Sequence, residues 1–129
     1  LKIAKCELKC GGMSPLEMQR RTKSYAYRCV DVAEALPRRR FGNYVADQLL
    51  RCALSVAAHY RAACHAKSRA DFISKLGTAE EEADESLLWL EALVDRRIVT
   101  EEKLAPLRDE GRQILSMIAA SIRTAKRGK

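Results

Sequence analysis

The chain has 129 residues, 47% of them hydrophobic and 32% charged. That is one hydrophobic core's worth of sequence and excludes both two independent cores and a disordered, apolar-poor polymer. Aromatics make up only 5% and the net charge is +7, so helices packed through aliphatic seams are expected rather than a sheet, and polyanions are favoured as partners.

No apolar run approaches the roughly 20 residues that cross a bilayer, so no membrane association is expected. The opening "LKIAKCELKCGG" is too short and too charged for a secretory signal. With Met13 following Gly11 and Gly12, residues 1–13 read as a flexible extension or an expression remnant, a native arm being the alternative. Five cysteines, at positions 6, 10, 29, 52 and 64, show no disulfide-scaffold spacing. Cys29, Cys52 and Cys64 fall in apolar helical patterns, where a reduced thiol acts as a small hydrophobe, and a reducing cytoplasm is the expected location.

A first helix is signalled by Ser14, Pro15 at the first helical position and Glu17, a capping box. Tyr25, Cys29, Val32 and Leu36 then share one face, and Pro37 ends the helix. The expected loop covers residues 37–43 and carries Arg38, Arg39 and Arg40. A second helix is expected over residues 44–66, with one seam of Val45, Leu49, Cys52, Val56, Tyr60 and Ala63. Its neighbouring seam is Ala46, Leu50, Ala53 and Ala57. Ser55, Ala58 and Ala62 give it a small-residue side where another helix could approach, a hint of oligomerisation.

The third helix opens at Ser68, its N-cap, and buries Phe72, Leu76, Ala79, Ala83, Leu87, Leu90 and Val94. Its acids, Glu80, Glu81, Glu82, Asp84 and Glu85, then fall on the flanks and the far face. With no cation partner on the same helix they should face water or basic groups of a neighbouring subunit. A fourth helix follows Thr100, Glu101 and Glu102, with Leu107, Gly111, Ile114, Ile118 and Ile122 on one face. Pro106 should kink it or mark its first true turn. Residues 126–129 read as a basic, frayed tail. Four amphipathic segments with short connections make an all-α, up-down antiparallel four-helix bundle over residues 14–125.

The chemistry of catalysis is missing from this pattern. The three residues before His59 and His65 place Val56 and Ala62 where a carboxylate-bridged metal site needs glutamate, and the Cys and His spacings match no zinc site. No metal and no cofactor is therefore expected. There is no nucleophile elbow, phosphate-binding glycine loop or dinucleotide turn, and Cys52 with His59, two helical turns apart, is better read as core. The protein is read as no enzyme.

Positions 48–93, "QLLRCALSVAAHYRAACHAKSRADFISKLGTAEEEADESLLWLEAL", resemble the four-helix bundle proteins encoded in 23S ribosomal RNA intervening sequences. The resemblance is carried by Gln48, Leu49, Arg51, Ser55, Val56, Ala58, Tyr60, Arg61, Ser68, Asp71, Phe72, Lys75, Leu76, Glu82 through Ser86, Trp89, Leu90 and Glu91. It extends over about residues 21–127, ending in "SIRTAKR". His59 and Ala62 depart from it, standing where the family usually has Asn and Glu. The resemblance implies a homopentameric barrel of four-helix protomers and association with ribosomal RNA. A related branch, the accessory variability proteins of diversity-generating retroelements, implies instead a scaffold that binds a reverse transcriptase and its template RNA.

Charge and resemblance together lead to RNA as partner, contacted mostly at phosphates. The candidate nucleic-acid-binding residues are Arg38, Arg39 and Arg40, then Arg51 and Arg61 on the second helix, and Lys126 and Arg127 near the end. An ion pair to the acidic third helix of another subunit is the competing role for the second-helix arginines.

Overall fold

Ser14 starts the first helix as its pattern requires. Its hydroxyl accepts the Glu17 N–H at 3.1 Å, and the Glu17 carboxylate accepts the Ser14 N–H at 2.9 Å. In the computed structural model, which describes residues 13–128, four helices follow: α1 (Pro15–Ala35), α2 (Arg40–Ala63), α3 (Arg69–Asp95) and α4 (Glu101–Arg127). Residues 1–12 with Cys6 and Cys10, and Lys129, lie outside the described residues. α1 packs on α2 and α4, and α3 packs on α2 and α4. Each helix thus touches its neighbours in the chain, and the last closes on the first, which is the expected up-down bundle.

The α1–α2 connection is tighter than its sequence implies. "RFGN" reads as turn residues, but Arg40 already stands in the helix, and the Asn43 N–H reaches the Arg39 carbonyl at 2.8 Å. Gly42 permits this: a Cβ there would sit 2.5 Å from the Pro37 carbonyl oxygen. The glycine serves a close backbone approach rather than a turn. At its other end α2 stops at Ala63, three residues short of the expected boundary. α4 begins at Glu101 and continues through Pro106, so proline is tolerated one and a half turns into the helix. Nor do Lys126 and Arg127 form a tail. They complete α4, whose final turn is held by the Gly128 N–H on Thr124 O and by Arg69 Nη1 donating to Ala125 O at 2.9 Å. Carbonyls left over at a helix end are satisfied there by backbone and by a guanidinium.

The second-helix seam of Val45, Leu49, Cys52, Val56, Tyr60 and Ala63 is buried throughout, as are Leu107, Gly111, Ile114, Ile118 and Ile122 in α4. In α3 the buried stripe is Phe72, Leu76, Ala79, Ala83, Ser86, Leu90 and Leu93, with Leu87 and Val94 at its margins. Ser86 is the polar residue in that stripe that the hydrophobic pattern could not nominate. Its hydroxyl donates to the Ala83 carbonyl at 2.7 Å, so the Tyr25 hydroxyl from α1, 2.7 Å away, donates to it in turn. Gly111 of α4 makes the room: a Cβ there would meet Tyr25 Oη at 2.7 Å and Leu87 Cδ2 at 2.8 Å.

Replacing Gly111 with Ala is therefore expected to destabilise the bundle by about 1–3 kcal/mol through overpacking. Ser86→Ala, which leaves the buried Tyr25 hydroxyl only the weakly accepting Cys29 thiol, should cost a comparable ~1–3 kcal/mol. In urea titrations the double variant should lose less than the sum, because both changes act on the one tyrosine.

Candidate nucleic-acid interface

An up-down bundle places alternate loops at the same end. The α1–α2 connection (residues 36–39) and the α3–α4 connection (residues 96–100) therefore share one end of this molecule. Arg39, Arg40 and Phe41 line a groove there together with Arg96 and Ile98 from the opposite loop. Arg38, Arg39, Arg40, Arg96 and Arg97 are all exposed, and none forms an ion pair with a described residue. Glu34 borders the same hollow as Arg38 without closing a salt bridge. α2 carries no acid in its first turn and its N-cap, Arg39, makes no side-chain capping bond, so the positive helix end adds to the arginine field instead of being neutralised.

The α3–α4 turn adds a further departure from the ordinary. Arg97 has φ of 60°, in the left-handed region. Its N–H bonds to Val94 O at 3.0 Å, while the Ile98 N–H bonds to Leu93 O at 2.9 Å, the helix-ending motif that usually places glycine where Arg97 stands. A basic side chain occupies a position where glycine would be more comfortable.

A second basic zone lies at the other end, where α1 begins and α2 finishes. Arg20 and Lys23 of α1 face Arg61 of α2 across a groove whose walls are Leu16, Ala57 and Ala58. Lys126 and Arg127 are exposed in the last turn of α4 at this same end. The seven sequence-derived candidates thus fall into two zones about a bundle length apart, plus Arg51 between them.

Arg51 is differently placed. Its guanidinium reaches across to α3, with Nη1 3.1 Å from Glu82 Oε1 and Nη2 on Glu85, while Gln48 Oε1 accepts from Nη2 at 3.3 Å. The indole of Trp89 donates to the same Glu85 carboxylate at 3.1 Å, and Tyr44 packs edge-on against Trp89 at 5.6 Å. The third-helix acids are expected from the sequence to face water or basic groups of a neighbouring subunit. Two of them instead meet a cation of their own chain, because the α2–α3 packing brings Arg51 opposite their flank. Its charge is compensated where it stands, unlike that of Arg38, Arg39, Arg40 and Arg61. Arg21 is likewise committed, through Glu110 at 2.6 and 2.9 Å and Gln113 at 2.6 Å, tying α1 to α4.

The cysteines and histidines do not converge. His59 Nδ1 lies 2.9 Å from Ser55 Oγ and 3.0 Å from Ser55 O on its own helix, and Cys52 donates to Leu49 O, so the two form no dyad. Burial pushes the Cys29 and Cys52 thiols up to about 12, which keeps them protonated and unreactive at neutral pH. Among the described residues no three of His, Cys, Asp and Glu gather as a metal site would need, and no helix is long and apolar enough to cross a membrane.

Residues 14–120 match the sequence model of a family described as 23S rRNA-intervening sequence protein. The chain belongs to that family. Among solved structures, a crystal structure of a Bacteroides thetaiotaomicron protein of unknown function from the S23 ribosomal protein family is similar, with a TM-score of 0.79 at 30% identity. The match covers 86% of this chain and 99% of that one. No curated protein matches. Within "EADESLLWLE", Glu82, Glu85, Ser86 and Trp89 make contacts to other helices. The basic ends are built from other residues. Arg96 was missed as a candidate because it is 56 residues from Arg40; the up-down topology, itself readable from the sequence, was the signal that pairs their loops.

The Arg51 guanidinium first, and the Trp89 indole second, hold the Glu85 carboxyl below the usual glutamate range. A depressed carboxylate stabilises the fold at neutral pH, and that contribution is lost as pH falls through the lowered value. Trp89 is the single tryptophan, so its fluorescence should report a transition below the ordinary glutamate value of about 4.3. In Arg51→Ala the midpoint should move up toward that value.

Proposed function

We propose that the protein is a non-enzymatic, oligomeric helical bundle that binds structured RNA, or an RNA–protein complex, through its basic ends. The observation that carries the reading is the gathering of Arg38, Arg39, Arg40 and Arg96, free of carboxylate partners among the described residues, from two loops and the start of α2 at one end. Phosphates are the natural counter-charge, and family membership is consistent with an RNA partner. Arg61, Lys126 and Arg127 supply a second contact zone, with Arg20 and Lys23 beside Arg61. The intramolecular clasp on Arg51 makes it the weakest of the candidates.

Self-association, as a homopentameric barrel, is part of the proposal. It is supported by Leu16, Tyr27 and Leu54, which are 55%, 56% and 42% exposed and fall by helical period on the outer α1–α2 face. The same face favours a second reading, a protein-interaction scaffold such as the accessory subunit of a reverse transcriptase, with a cytoplasmic location under either. Sedimentation at micromolar concentration is expected to give a mass of several chains; the mass of one chain would overturn the oligomer.

RNA affinity measured against salt tests the binding. The logarithm of affinity should fall steeply with the logarithm of salt concentration, by roughly 0.7–0.9 per phosphate contact. Neutralising Arg38, Arg39 and Arg40 together to Gln should weaken binding to every RNA and flatten that slope by about 2–3. An unchanged slope would refute this placement, and a protein inert toward RNA at low salt would leave the scaffold reading.

A further inference from the structure

The groove between the two loops holds more than charge. Phe41, in the first turn of α2, is 39% exposed, and its neighbours along the groove are Arg39, Arg40 and Arg96. Ile98 gives the groove an apolar patch beside the ring. A duplex presents its phosphates on the outside and keeps its base faces stacked, so it would use the arginines and leave Phe41 idle. An unpaired nucleotide presents both a phosphate and a bare aromatic face a few ångströms apart. It is the ligand whose chemistry matches the whole lining, with guanidinium groups on the phosphate and the ring under the base.

We propose that this groove is a single-stranded RNA site. Phe41 stacks one unpaired base, and Arg39, Arg40 and Arg96 hold the flanking phosphates. The inference rests on the RNA-binding reading above and sharpens it, from phosphate contacts in general to a looped or terminal unpaired segment as the feature recognised. Arg96 thereby becomes a phosphate contact outside the seven sequence-derived candidates, joined to Arg39 and Arg40 where the bundle brings the two loops to one end. Ion pairs do not compete for these three arginines among the described residues.

The test uses the full chain and three labelled probes in fluorescence anisotropy: oligoadenylate, an abasic ribose-phosphate oligomer of equal length and charge, and an RNA duplex. Oligoadenylate should bind more tightly than the abasic oligomer, by about five- to a hundredfold for one stacked base. Phe41→Ala and Phe41→Leu should both erase that preference while leaving the salt dependence intact, and Phe41→Trp should keep it. The leucine variant preserves the apolar bulk of the position, so a loss seen with alanine alone would mark damage to the fold and overturn the stacking role. Arg96→Gln should weaken both single-stranded probes and lower the salt slope by roughly 0.7, the share of one phosphate contact on a single strand. Equal affinity for oligoadenylate and the abasic oligomer, or a preference that survives Phe41→Leu, would overturn this site while RNA binding itself stood. Binding to none of the three probes at low salt would overturn the site together with the RNA reading.

Discussion

The Tyr25 hydroxyl is the hinge of this bundle's register. It sits in the core, far from water, and must find an acceptor there or impose a desolvation penalty on the fold. It finds Ser86 of α3, whose own proton is already given to Ala83 O, and it fits only because Gly111 of α4 has no side chain to oppose it. One hydrogen bond therefore fixes the mutual height of three helices. Burial also pushes the tyrosine's ionisation well above its ordinary value, so the hydroxyl remains a donor across the whole physiological range. A directional bond under a glycine adds a polar constraint on register to that of the close-packed aliphatic seams.

Once that register is set, the outer polar contacts follow from it. Arg51 meets Glu82 and Glu85, and Trp89 joins them, only if α2 and α3 stand at one relative height. Arg21 meets Glu110 only if α1 and α4 do. These pairs are partly exposed and individually worth little. Their consequence is chiefly electrostatic: Arg21 and Arg51 are neutralised where they stand, and Arg38, Arg39, Arg40 and Arg96 are not. At the start of α2 the uncompensated arginines stand where the helix terminus already exposes backbone N–H groups.

The helices are legible in the sequence because each has strong local signals: the Ser14 and Ser68 caps, the stop at Pro37, and stripes of 3.6-residue period. The sequence misleads where a residue's meaning depends on its neighbours in space. "FGN" looks like a turn until Pro37 is seen packed where a Cβ of Gly42 would be. Ser86 looks like one more polar residue in an acidic helix until Tyr25 arrives. The acids of α3 look unpartnered until α2 is laid alongside. For the candidate interface, Arg38, Arg39 and Arg40 were legible as a run, but a run on one strand of loop is only half of a groove.

What the sequence determined by itself was the number of helices, their buried faces, the sign of the charge and the family, since each is written in local composition, period or motif. Tertiary structure alone decided which charges remain free. Arg51 and Arg61 are both exposed arginines of one helix, ten residues apart. Packing against α3 places two carboxylates within reach of the first, while the second faces Arg20 and Lys23. Coulomb energy depends on distance through space, and sequence records only distance along the chain.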